Sequence, residues 1–137
     1  MTIVQYRSWR WSLAGFALML SVGCSAQNDG PPLSDVIGNI TLDGQPLEQG
    51  RIIFDPTDGV GTSYGAIIAS GKYNARLSAG PKSVSIFSYR PSKTILDFEG
   101  NPSVEQFLPD RFNSKSTLTA EISGERKQSV DFELQSK

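Results

Sequence analysis

Between Val36 and Gln135, apolar and polar residues alternate one by one in seven short runs, separated by glycine, proline and aspartate. Successive side chains of a β-strand point to opposite faces, so a period of two describes a strand with one buried and one wet face. Val36, Ile40 and Leu42 fall on one face of the first run, with Asn39 and Thr41 on the other. Ile52 and Phe54 share a face in Gly50 to Phe54, as do Tyr64, Ala66 and Ile68 in Thr62 to Ala69. Tyr73, Ala75 and Leu77 alternate with Lys72, Asn74 and Arg76. Val84 and Ile86, then Leu118, Ala120 and Ile122, then Val130, Phe132 and Leu134 complete the set. Asp43-Gly44, Ser70-Gly71 and Ala79-Gly80-Pro81 are tight-turn signals between runs. No segment carries a convincing helical period. Two packed antiparallel sheets bury one face of every such strand, so the expected fold is all-β: a seven-stranded antiparallel sandwich over residues 36–135.

Residues 1–23 differ in kind. Met1 to Trp11 carries Arg7 and Arg10 and no acid, Ser12 to Val22 is apolar, and small residues then precede Cys24. A charged, an apolar and a small-residue part in that order describe an export signal. The apolar part is too short for a helix across a bilayer, which needs about 20 residues. Residues 24–35 are polar and broken by Gly30-Pro31-Pro32, and read as a flexible tether.

Leu20-Ser21-Val22-Gly23-Cys24 resembles the lipobox of bacterial lipoproteins, with Leu20 one place earlier than the usual leucine. The resemblance implies that Cys24 is the lipid attachment site and the mature N-terminus. It places the protein in the cell envelope, anchored to the extracytoplasmic side of a membrane. The run Val36 to Phe54, with Asp43-Gly44-Gln45-Pro46-Leu47 followed by Gly50-x-Ile52-x-Phe54, resembles the first strands of the transthyretin-like, carboxypeptidase-regulatory-like domain. Ser70 to Tyr73, Ala79 to Ile86 and Leu108 to Ile122 extend the likeness. It implies a Greek-key, prealbumin-like sandwich and no activity, because in carboxypeptidases this domain accompanies a separate catalytic one. One transthyretin-like branch hydrolyses a purine breakdown product with histidines, and this chain has none.

The lack of histidine also removes the commonest general base and metal ligand. A single cysteine excludes an intramolecular disulfide and a cysteine-based zinc site. Outside residues 1–23 the chain holds 11 basic and 14 acidic groups, a net charge of −3. With no basic stripe, nucleic acid is not an expected partner. Asp55 and Asp58 offer too few oxygens for calcium, which takes about six to eight, and read as turn residues. Asp97 and Glu99, a carboxylate pair in a glycine-containing loop, read as solvated. No catalytic residue, cofactor or metal is expected.

Arg90 to Lys115 is a 26-residue connection, long for a compact domain. Its Ile95, Leu96, Phe98, Phe107, Leu108 and Phe112 are expected to fold over one open end of the core; the other reading is a partner-binding surface. Both tryptophans, Trp9 and Trp11, lie in the export segment, which counts against an aromatic sugar platform. The expected function is that of a lipid-anchored, non-enzymatic interaction or structural module with an envelope protein or glycan as partner. The alternative is a module binding a small ligand or carbohydrate.

Overall fold

The computed structural model describes residues 30–137. Cys24, the residues read as an export segment and most of those read as a tether lie outside the described residues. The first six alternating runs each become a strand with the apolar face read above turned inward, and the seventh is divided between two short strands. The strands are β1 (Leu33–Leu42), β2 (Gln45–Pro46), β3 (Gln49–Pro56), β4 (Tyr64–Ala69), β5 (Lys72–Ser78) and β6 (Gly80–Phe87). After them come β7 (Tyr89–Leu96), β8 (Pro102–Gln106), a 3-10 turn (Asp110–Phe112), β9 (Leu118–Ile122), β10 (Lys127–Ser129) and β11 (Phe132–Leu134). β1 begins three residues before the run at Val36. Leu33, Ser34 and Asp35, read as tether, pair with Ser78, Leu77 and Arg76 of β5, and Ser34 is buried.

The main sheet has the order β10-β1-β5-β4-β3-β6-β9, with β11 and β2 also paired to β1. β4 and β5 meet at a single pair, Ala69 and Lys72, beside the Ser70-Gly71 turn. From there the sheet curls into two arms. Ser70 and Gly71 have φ of 50° and 72°, the positive pair a type I′ turn requires. Asp43 and Gly44 do the same between β1 and β2.

The arms face each other across one core. Val36, Ile40, Ala75 and Leu77 come from the β1–β5 arm and Ile52, Phe54, Ile68, Val84 and Ile86 from the other. The Tyr73 ring lies between Phe54 and Phe132, with centroids at 5.8 and 6.4 Å. Its hydroxyl donates to the Val130 carbonyl at 2.7 Å, so the tyrosine is buried with its polar end satisfied.

Two further features depart from the sequence reading. The sheet is not wholly antiparallel, since β10 and β11 run parallel to β1. The cause is the crossover 123–126: β9 ends where β1 starts, and the chain passes to the other arm and climbs beside β1. Gln128 ties this crossover by donating to Glu121 O at 2.7 Å and accepting from Ser123 N–H at 2.9 Å. The second departure is the 90–115 connection. Leu108 and Phe112 do cap the core, but residues 89–106 form a separate two-stranded sheet of β7 and β8. Ile95, Leu96 and Phe98 are exposed rather than capping.

Candidate functional site

The two ends of the domain are built differently. At the end where the chain enters, Pro31 and Pro32 lie beside Pro56, Thr62, Tyr64 and the Ser78–Lys82 turn, around a cavity of about 390 Å³. Lys82 shares the inward parity of Val84 and Ile86, and only 3% of it is exposed. Its Nζ donates to Ser78 Oγ at 3.1 Å. Among the described residues no carboxylate forms an ion pair with it. This brings a serine and a lysine together, an arrangement no motif announces. The aliphatic stem fills the end of the core while the ammonium reaches for a polar partner.

At the other end, β6 runs on through Ser88 into β7, and β8 leads back through the 3-10 turn to β9. The hairpin follows the end of β6 as a separate two-stranded sheet whose strands contact chiefly each other. Its base is fixed: Ser88 Oγ donates to Gln49 O at 2.5 Å, Ser88 N–H to Gln106 Oε1 at 3.0 Å, and Phe107 N–H to Ser88 O at 3.2 Å. Arg90 pairs with Glu105 at 3.0 Å and lies 5.0 Å from the Phe107 ring centroid. Farther out the register slips between Pro91 and Leu96. Ser92 Oγ accepts the Thr94 and Ile95 N–H groups that this bulge leaves over.

The tip is an Asx turn. Asp97 Oδ1 accepts the Glu99 and Asn101 N–H groups, both at 2.9 Å. The Asn101 and Glu99 amides hold the Asp97 carboxyl below its ordinary range. The turn thrusts Phe98 fully into solvent, with Ile95 and Leu96 on the adjoining strand and Val104 across from Pro91. Four apolar side chains are thus exposed on an element tied down at its base.

Beside the base lies a groove on the outer face of β3 and β4. Arg51 stands opposite Ile67 and Phe87, and Ile53 stands opposite Gly65 and Ser85. Gln49, Arg51, Ile53, Ile67, Phe87 and Tyr89 line a cavity of about 650 Å³, and a second of about 310 Å³ adjoins it where Gly65 and Ala66 leave room beside Ile53.

Of the carboxylates read in the sequence as turn residues, Asp58 lies in a turn, but Asp55 belongs to β3 and pairs with Ser83. Asp55 accepts a hydrogen bond from Ser63 Oγ, and Asp58 Oδ1 accepts the Val60 N–H at 3.0 Å. Among the described residues no group of three histidine, cysteine, aspartate or glutamate side chains is placed to hold a metal. Tyr73 is buried and Tyr64 half-buried; exposed Tyr89 and Phe98 are separated by the length of the hairpin and make no common platform. Cys24 lies outside the described residues. The groove was legible in part, since Ile53 and Ile67 have the outward parity of their runs. The Ser78–Lys82 pair was legible from the parity of Lys82 alone.

No family model and no curated protein matches the sequence. Among solved structures, a 9R-lipoxygenase from Cyanothece PCC8801 is similar with a TM-score of 0.40 and 10% identity. The match covers 76% of this chain and 16% of that one. The chain thus spans about a sixth of that protein, and the likeness carries no inference about fold family or activity.

Proposed function

We propose that the chain is an exported lipoprotein whose β domain is a non-enzymatic binding module of the cell envelope. In this reading residues 1–23 direct export, Cys24 carries the lipid, and the tether runs to Pro32. The domain is a Greek-key, seven-stranded sandwich of transthyretin-like type, to which the β7–β8 hairpin is added. What supports the first part is the order of charged, apolar and small residues before Cys24. What supports the second is the pair of arms closed over one core.

The observation that carries the functional reading is the placement of the hairpin. The chain enters at Pro31–Pro32, at one end of the body. The apolar tip at Phe98 projects from the other end, because β6 runs from the entry end towards it. A tether of eight residues from Ser25 to Pro32 has a root-mean-square reach of about 15 Å. The anchor therefore holds one end of the domain near the lipid and presents the hairpin away from it, towards partners.

Membrane fractionation tests the anchoring. Wild type is expected in the membrane pellet after a high-salt wash, and Cys24→Ala in the soluble or uncleaved pool. Equal partitioning of the two would overturn the anchored reading.

A further inference from the structure

We propose that the hairpin tip docks into the outer-face groove of a second copy of this chain, and that the exchange is reciprocal. The inference rests on the reading of the hairpin as a binding element and names its partner.

Three observations point to a second copy. The first is chemical match. The tip offers exposed apolar side chains, Phe98, Leu96 and Ile95, next to two carboxylates, Asp97 and Glu99. The groove offers Ile53, Ile67 and Phe87 around one guanidinium, Arg51. Ile67 is 66% exposed, and among the described residues Arg51 has no carboxylate partner. Apolar surface flanked by negative charge thus meets apolar surface flanked by positive charge, the complementarity that selects partners and orientation.

The second observation is reach. From the Tyr89–Gln106 pair to the Leu96–Pro102 pair the hairpin advances four residues along β8, about 14 Å in extended strand. Two hairpins laid side by side and antiparallel bring each tip over the base of the other, and the groove begins at that base with Gln49, Phe87 and Tyr89. A two-fold axis at mid-hairpin makes both contacts at once, and a closed pair of this kind leaves no unmatched surface to propagate a filament.

The third observation is exclusion of the nearer alternatives. The tip does not fill the groove of its own chain: β7 and β8 contact chiefly each other, and Phe98 is fully exposed. A lipid surface is a poor host, because Asp97 is kept ionised by the turn amides beside Phe98, and carrying a carboxylate into hydrocarbon is costly.

The test is photo-cross-linking of the full chain in its host membrane, with p-benzoylphenylalanine in place of Phe98. Because Phe98 is fully exposed, the replacement leaves folding intact. A covalent dimer is expected on irradiation, with the adduct on peptides containing Arg51 or Ile67. Arg51→Glu is expected to lower the dimer yield about tenfold, the effect of roughly 1.4 kcal/mol of charge repulsion. Combining it with Glu99→Arg is expected to restore the yield. Adducts on an unrelated protein would overturn self-docking and leave the hairpin a binding element. Adducts on lipid alone, or none, would overturn both. A dimer indifferent to Arg51→Glu would overturn the assigned groove.

Discussion

Replacing Gly38 by alanine tests how the C-terminal strands are held on β1. Gly38 lies where β1 changes partner, between the β10 pairs at 35–37 and the β11 pairs at 40–42. A Cβ there would stand 1.8 Å from the Val130 carbonyl oxygen and 2.8 Å from Tyr73 Cε1. Ordinary contact starts at 3.4 Å, so Val130 would have to retreat by about 1.6 Å, the difference of those values. It is held at both ends. Its N–H donates to Ile37 O at 2.9 Å, and its carbonyl accepts from Tyr73 at 2.7 Å. A retreat of that size breaks both bonds, at about 1 kcal/mol each, and loosens Phe132 from the core. The sum is about 3–5 kcal/mol. For a domain of this size that lowers the melting temperature by more than about 12 °C. Gly65→Ala is the control: its Cβ would lie 3.7 Å from Ile52 O, an ordinary contact, and stability is expected unchanged or slightly raised. Urea titration followed by circular dichroism reads both. A Gly38→Ala loss below about 1 kcal/mol would refute the close approach of Val130 and with it the parallel docking of the C-terminal strands.

Tyr73→Phe deletes only the hydroxyl that reaches Val130, and is expected to cost about 1 kcal/mol in the same assay; no loss would mean the bond is not formed. In wild type, burial raises the Tyr73 phenol well above its usual range, so absorbance at 295 nm is expected to show it titrating last among the tyrosines of the domain. Lys82→Met keeps the stem and removes the ammonium, and is expected to change stability by less than about 1 kcal/mol or raise it. A larger loss would show that the Ser78–Lys82 hydrogen bond holds the entry end together. The Asp97 carboxyl is depressed by amides that bind its ionised form. The order it gives the hairpin tip is therefore complete above its ordinary value of 3.8 and lost as pH falls below it. The Glu99 and Asn101 amide resonances are expected to titrate together with a midpoint under 3.8, and a midpoint at or above it contradicts the Asx turn.

What was legible in the sequence follows from what period two encodes. Parity tells which side chains share a face, and Tyr73, Ala75 and Leu77 or Val84 and Ile86 lie inward because water excludes them together. Parity carries nothing about partner or direction, so the parallel pairing of β10 and β11 to β1 emerged only with the crossover at 123–126. It also fails where a strand is interrupted. Pro91 and the bulge stapled by Ser92 break the rhythm of β7, so Ile95, Leu96 and Phe98 looked like residues wanting a core. The early start of β1 was hidden by Pro31-Pro32, which marks a linker in composition although Leu33 immediately after it is already paired. Lys82 shows the converse case: its parity was inward, and its charge argued otherwise, until a long stem and the neighbouring Ser78 hydroxyl reconciled the two.

We propose above that this hairpin-bearing domain is held to a membrane through Cys24. The intact mass of the membrane-extracted protein, wild type beside Cys24→Ala, tests it most directly. A mature species that begins at Cys24 and carries acyl mass, absent from the variant, is expected. A wild-type chain of unmodified mass, full-length or cut elsewhere, would contradict it.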